Sequence, residues 1–494
     1  MKLLFLLPAL LLIASSASAQ WEPEVRLTNQ PLQSFTSPGR GLVAGGDTLH
    51  LVFYDFRGNV WEIYYKRSTD KGATWGEDVR LTNDALDSFN PTIGVSGSDV
   101  HVTWGDLHGG VSQVYTIRST DGGETWQDAV RVTTTTVYAG LSSIVADGPT
   151  VHLAWVDSRD GGRRIAYARS TDRGATWEPY RQMNLPTAVD TALSPRLAVD
   201  DGVAHLSWTE WGDTIRYLYG RSTDGGSTWS EPVVIAEDPV RGGYTVLQFQ
   251  TISMSVSGSD VHFTWQGTPE TLRLETYYIR STDGGLTWEE RVQLTSYDGS
   301  VNWNAANPSV AADGDDVIIA WDDQRFAAEN IEIFYARSTD GGSSWTGNLR
   351  LTDAPSNSRR PMTALIDGSM HTVWFDLRDL QYELYYRRNL TGILTGVSIE
   401  TDGTGVAATT TPNPFDRETV IGFTLTETVR TSVRIYDLGG NLVATLVDAT
   451  LAEGPQTVVW DARRDDGTPA VSGRYHYSIE AGRDRASGSL MVTR

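Results

Sequence analysis

The sequence predicts an all-β protein in two parts, a ring of repeated four-stranded units followed by a small β-sandwich. Three observations predict it. The 494 residues carry 17 Trp, 20 Tyr and 48 Gly, the composition of aromatic-rich strands cut by glycine turns. The string Arg-Ser-Thr-Asp-x-Gly-x-Thr/Ser-Trp occurs six times at spacings of 51 to 59 residues, the mark of a repeat architecture. Beyond residue 389 the string is lost and short alternating segments take over.

The chain opens on Lys2, an apolar run from Leu3 to Ile13, and the small residues Ala17-Ser18-Ala19 ahead of Gln20. This reads as a secretory signal peptide over residues 1–19. The run is short of the ~20 residues a membrane span needs, and no later segment is apolar enough, so no transmembrane segment is expected after signal removal. The formal charge of −22 argues against nucleic acid, because phosphate binding needs a basic face. The same charge suits a soluble exported protein. With no Cys, the chain has no disulfide, thiolate metal site, cysteine nucleophile or lipidated cysteine.

Residues 20–388 hold the repeats. The Asp of each string (Asp70, Asp121, Asp172, Asp224, Asp283, Asp340) can accept the N–H groups of a tight turn. The Gly two positions on supplies positive φ, and the Trp five positions on can cover the turn. A turn repeated this often is scaffold, so these Asp are read as structural. In residues 88–133, four strands fit: 90–95 innermost, then 99–104, 113–118 and 126–133. The first three recur near residues 37, 88, 140, 193, 249, 306 and 359, and the last set ends at Arg388 without a fourth strand. The segment Trp21-Glu22-Pro23-Glu24-Val25-Arg26-Leu27-Thr28-Asn29 copies the fourth-strand pattern of residues 75–83. A seven-bladed β-propeller follows, its seventh blade closed by the N-terminal strand, which removes an exposed edge.

The nine-residue string resembles the Asp box, or BNR repeat, of sialidases and related propellers. The resemblance implies that the box joins the third and fourth strands of a blade, at the outer edge of the face opposite the usual binding site. Sialidases have six blades, so a count of seven departs from them, and a six-bladed ring is the alternative.

Residues 389–412 are Gly- and Thr-rich and read as a linker. From Asn413-Pro414-Phe415 through Val433-Arg434-Ile435-Tyr436-Asp437 and Val459-Trp460-Asp461 to Arg494, short alternating strands read as an immunoglobulin-like sandwich over 413–494. This segment resembles the immunoglobulin-like module of flagellar hook-capping proteins and the related C-terminal sorting domains of type IX secretion. The resemblance implies a bacterial source, a secreted or outer-surface destination, and secretion machinery as a partner. A generic spacer is the other reading.

Candidate ligand-binding residues lie at the ends of the first and second strands. The loop after the second strand repeats Asp-x-Arg at Asp55/Arg57, Asp157/Arg159, Asp323/Arg325 and Asp376/Arg378, with Glu210 and Trp211 in the fourth repeat. Local ion pairs bracing each loop are the plainer account. Arginines also stand at the start of inner strands: Arg40, Arg196, Arg359 and Arg360. Arg is the natural fork for a carboxylate. Arg359-Arg360-Pro361 loosely resembles the sialidase Arg-Ile-Pro signature, and Asp55-Phe56-Arg57 its acidic-x-Arg element, while the family's catalytic Asp has no counterpart before Trp61. The family's Tyr–Glu pair is not placed either: Tyr138, Tyr244 and Tyr297 lie between repeats, and Glu210 is the best-placed Glu. Six of the eight His share one repeat position (His50, His101, His152, His205, His262, His371). Sheets stack ~10 Å apart, too far for one position on successive blades to share an ion, so they are expected to pack between blades. No metal and no cofactor is expected.

The reading is an exported bacterial surface or extracellular protein that binds a glycan or protein on its top face. The alternatives are an exo-sialidase or other glycoside hydrolase, and an architectural surface protein.

Overall fold

The computed structural model describes residues 21–389 and 408–492, apart from 31–32, 38–40, 84, 108–109, 184–190, 240–250, 268–272, 296–303, 328–329, 412–414, 416, 438–441, 466, 472 and 483. Residues 1–20, which include the segment read as a signal peptide, and Arg40 therefore lie outside it. The chain divides into two compact units, one spanning Glu22–Gly392 and the other containing Ile393–Arg494.

The described residues of the first unit form seven antiparallel sheets, six of four strands and one of five. The second sheet is typical: Ser88–Ser96 innermost, then Asp99–Asp106, Gln113–Ser119 and Val130–Arg131. Asp99–Asp106 is buried along its whole length, because neighbouring sheets cover both faces. The second strands place one large aromatic side chain between sheets in each repeat, from Phe53 through Trp104, Trp155, Trp208, Trp265 and Trp321 to Trp374, all at most 1% exposed. Innermost strands contact one another in sequence from Leu42–Gly45 to Ser358–Ile366, and the last contacts the first. Val25–Arg26 pairs with Glu383–Asn389, in the register Val25 to Tyr386 and Arg26 to Tyr385. The chain's first described strand thus completes its last repeat.

The fourth strand is shorter than the sequence suggests. The pattern predicts 126–133, but only Val130–Arg131 is laddered to the third strand. Trp126 turns inward to meet Tyr65 edge-on at 4.9 Å, and the chain keeps one bond back, Gln127 N–H to Arg118 C=O, before pairing resumes. The fourth repeat alone has a long outer strand, Val233–Pro239.

Each six-fold repeated turn is closed the same way. In the first, Asp70 Oδ1 accepts from Ser68 Oγ (2.7 Å) and the Thr74 N–H (2.9 Å), and Oδ2 from Thr74 Oγ1 (2.6 Å). Gly285, at φ +85°, shows why glycine is needed: a Cβ there would sit 1.9 Å from the Tyr219 hydroxyl of the preceding sheet. That hydroxyl bonds His205 Nδ1 at 2.6 Å, and its ring meets Trp288 edge-on at 4.9 Å. The same His, Tyr, Gly and Trp set recurs through Tyr65, Tyr167, Tyr278 and Tyr386. The repeated histidine position thus holds a tyrosine that latches one sheet to the next turn.

The second unit has a three-stranded sheet (Ala408–Thr411, Thr419–Leu425, Gly454–Trp460) and a four-stranded one (Leu442–Leu451, Val429–Asp437, Gly473–Ala481, Asp484–Val492). Between them lies a core that includes Phe415, Ile421, Val433, Ile435, Trp460, Tyr475 and Ile479. The strand Ala408–Thr411, a run of β-branched threonines, falls inside the stretch read as linker. Among the described residues, no helix is long and apolar enough to cross a membrane.

Candidate functional site

The two ends of each sheet do different work. The repeated turn closes one end. At the other end the second strand finishes in an acidic residue, and the first strand begins. There the Asp-x-Arg carboxylate is a hub. Asp376 Oδ2 accepts from Ser358 Oγ of the first strand (2.7 Å) and from the Trp374 indole (3.1 Å), and Arg378 closes on it at 2.6 Å. Asp55 with Arg57, Asp157 with Arg159 and Asp323 with Arg325 repeat the ion pair at 3.0, 2.7 and 2.7 Å. Arg57 and Arg378 reach second carboxylates, Asp78 and Glu24, and lie over the rings of Tyr64 and Tyr385. Opposing carboxylates raise the Arg57 and Arg378 pKa against the lowering effect of burial. Glu210 occupies the same hub, accepting from Trp208 and pairing with Arg216 at 3.0 Å. Trp211, 8% exposed, packs into the core of the third to fifth sheets. The fifth repeat has Gly267 at the hub, and Asp238 from the long outer strand of the fourth replaces the carboxylate. It accepts from Trp265 and Tyr217, both at 2.9 Å, and pairs with Arg291. This substitute explains why that outer strand runs on to Pro239.

Arg359 and Arg360 differ. First strands carry a bulge here, with register breaks at Phe89/Thr92, Gly140/Ser143, Leu193/Arg196, Ala306/Ser309 and Arg359/Met362. Its central residue is left-handed: Asn90, Leu141, Ser194, Asn307 and Arg360, at φ +51° to +55°. A bulge re-aims a side chain, and a non-glycine residue held there costs of order 1–3 kcal/mol. Neither arginine has a carboxylate within 4 Å among the described residues. Arg360 lies 5.6 Å from the Phe375 ring and near the Tyr54 hydroxyl, whose pKa burial raises and this guanidinium partly offsets.

Asp322 is the acid of this cluster, and it stands directly after the second-strand Trp321. Other repeats have Tyr54, Gly105, Val156, Thr209, Gln266 and Phe375 at that place. Asp322 is 4% exposed and accepts from Asn307 Nδ2 at 2.9 Å and the Arg360 N–H at 3.3 Å. Burial pushes its pKa up to about 6, against the pull of the Asn307 bond and the two guanidinium charges. Asn307 is held in turn by Gln266 and Thr251. The structure therefore groups Arg359, Arg360, Asp322, Asn307 and Tyr54 from the sixth, seventh and first repeats. Arg196 stands apart in the fourth, 5% exposed, donating to the Pro195 carbonyl. Tyr244 and Tyr297 lie outside the described residues. Sequence reasoning missed Asp322 and Asp238. The doubled acid Asp322-Asp323, unique among the repeats, was the available signal for the first.

Comparison with known proteins adds the family. A BNR repeat-like domain matches residues 92–319. The ring is a sialidase-like BNR-repeat domain. A FlgD Ig-like domain matches residues 408–485, so the second unit is an immunoglobulin-like module. The chain is similar to a sialidase of Bacteroides fragilis (26% identity; 42% of this chain, 41% of the relative) and to one of Paraclostridium sordellii (27%; 40% and 57%). It thus spans less than two thirds of either curated relative. Among solved structures, a Hadza microbial sialidase matches the BNR-containing chain at TM-score 0.42 and 18% identity, covering 58% of this chain and 63% of that one. An ulvan polysaccharide lyase matches at TM-score 0.49 and 11% identity, covering 72% and 94%.

Proposed function

We propose that the BNR ring is an exported, surface-exposed or extracellular binding domain that takes an acidic glycan at Arg359 and Arg360. One observation carries this: every Asp-x-Arg arginine is matched by a carboxylate, whereas these two adjacent guanidinium groups share only a largely buried acid that resists ionising. Adjacent cations repel one another, and an anionic ligand relieves that repulsion. Arg360 donates its fork from a strained, preset backbone, so little freedom is lost on binding. The Arg359→Ala/Arg360→Ala protein is expected to bind acidic glycans on an array roughly 10- to 100-fold more weakly, with neutral glycans unaffected. Wild-type binding of acidic glycans should weaken as salt rises. Unchanged binding by the double variant would move the site elsewhere on the ring.

A sialidase reading has its own support in Asp322, a carboxyl that keeps its proton up to about pH 6 beside an anion cradle, as a general acid must. Release of a fluorophore from a sialic-acid glycoside, lost in Asp322→Asn, would establish turnover in place of simple binding.

The immunoglobulin-like module is assigned to delivery, as a sorting-type domain read by secretion machinery. A chain ending at residue 392 should stay folded and monodisperse and keep its glycan binding, because the strand pairing that closes the ring, Val25–Arg26 with Glu383–Asn389, lies entirely before that point. Aggregation of that chain would tie the module to the ring's stability.

A further inference from the structure

At one junction the latch keeps every part except its tyrosine. Five times, a third-strand tyrosine hydroxyl bonds a second-strand His Nδ1 at 2.6–2.8 Å. Each of those rings meets the Trp of the following turn edge-on, at 4.8–5.2 Å. In the second sheet the tyrosine is replaced by Thr116, in register with Thr103 and Val130. The other three parts remain. His101 is 2% exposed, its Nε2 is unpartnered, and among the described residues no tyrosine hydroxyl bonds its Nδ1. Gly174, at φ +77°, would meet nothing but the His101 imidazole if it carried a Cβ at close range, with Nδ1 at 3.2 Å. Among the described residues, Trp177 has no tyrosine ring against it, unlike its counterparts.

What the missing ring leaves is a cavity of about 260 Å³, lined by His101, Thr116, Arg118, Val130, Gly174 and Trp177. That lies just below the ~300 Å³ at which pockets for drug-sized ligands begin, so it suits one substituted ring. Arg118 cannot fill it. Its Nε is held by Gln127 at 2.8 Å and one Nη by the Asp172 and Arg173 carbonyls.

We propose that this cavity is a binding site for a small para-substituted phenol. The hydroxyl bonds His101 Nδ1, the ring stands edge-on to Trp177, and its edge lies against Gly174. The chain itself specifies this chemistry at five other junctions, where a covalently attached phenol occupies the same three-part cradle. The ligand would bridge the second and third sheets and stabilise the ring in proportion to its occupancy.

The probe is p-cresol, titrated into the full chain by protein-observed NMR and calorimetry. A Kd near 1 mM is expected for so few atoms. Toluene, which lacks the hydroxyl, should bind about 5-fold more weakly. N-acetyl-tyrosinamide tests whether the phenol can be the side chain of another polypeptide: binding as tight as p-cresol assigns the site to tyrosyl groups, and no binding assigns it to free phenols. Thr116→Tyr should abolish p-cresol binding and raise Tm by about 2 °C, because it restores the latch. Thr116→Val, which leaves the cavity open, should bind p-cresol as the parent does. Equal p-cresol binding by Thr116→Tyr, or no saturable binding by the parent, would overturn the assignment.

Discussion

Acidification from pH 7 to pH 4.5 should unfold the ring or lower its Tm by roughly 10 °C or more. Six histidines, His50, His101, His152, His205, His262 and His371, are each pushed down to about 4, first by burial and then by a neighbouring arginine such as Arg67 or Arg388. Folded, they stay neutral; unfolded, they protonate near 6.5. The unfolded chain therefore binds more protons throughout the interval from about 6.5 to 4, and stability falls with pH across it. It is fully present above 6.5 and exhausted below 4. Six such sites sum to on the order of 10 kcal/mol, comparable to the whole stability of a typical domain. Buried acids oppose the trend. Asp322, at about 6, and Asp238, raised by burial, favour the folded form as pH falls. The repeated-turn carboxylates Asp70, Asp172 and Asp224, held near 2 by hydrogen bonds, matter only below their ordinary 3.8. Calorimetry at pH 7, 6, 5 and 4.5 checks this. A flat Tm across that range would mean that the latch histidines are not held neutral.

Deleting residues 21–30 is expected to turn a soluble ring into an aggregating one. The loss is larger than two ladder residues suggest. Glu383 is fully buried, and this segment supplies its partners: Arg26 at 2.8 Å, Thr28 Oγ1 at 2.5 Å and the Gln30 N–H at 3.1 Å. Arg378 and Arg388 also lose Glu24 and Glu22. Removal strips that carboxylate of its three partners and bares the third strand as an open edge. Size-exclusion chromatography and chemical denaturation of the deleted chain report both effects. Adding back a peptide of residues 21–30 should restore part of the lost stability. A deleted chain that stays monomeric with unchanged stability would show that the ring closes without it.

How much of this was legible in the sequence depended on whether a feature repeats. The turn chemistry around Asp70 and its five copies, the strand order, and the pairing of Val25–Arg26 with the last repeat could be read because each is spelled several times. The Asp-x-Arg pairs were legible as bracing for the same reason. The cluster around Arg360 was not, since it depends on a left-handed bulge residue and on three repeats meeting in space. Asp322 and Asp238 each appear once, at places where the other copies carry something else. Their meaning came only from the geometry that showed which carboxylate serves which indole.

Closure of the ring also sets a clock. Arg26 and Glu383 are 357 residues apart, so joining them costs about 5 kcal/mol of chain entropy before any contact rewards it. During synthesis at about 5–20 residues per second, the first strand waits roughly 20 to 70 s for its partner to exist. Over that interval the growing chain has an unmated edge and cannot lock. The strand that completes the fold is the one that must find the end of the ring, so the final tertiary state is deferred until the whole ring has been made.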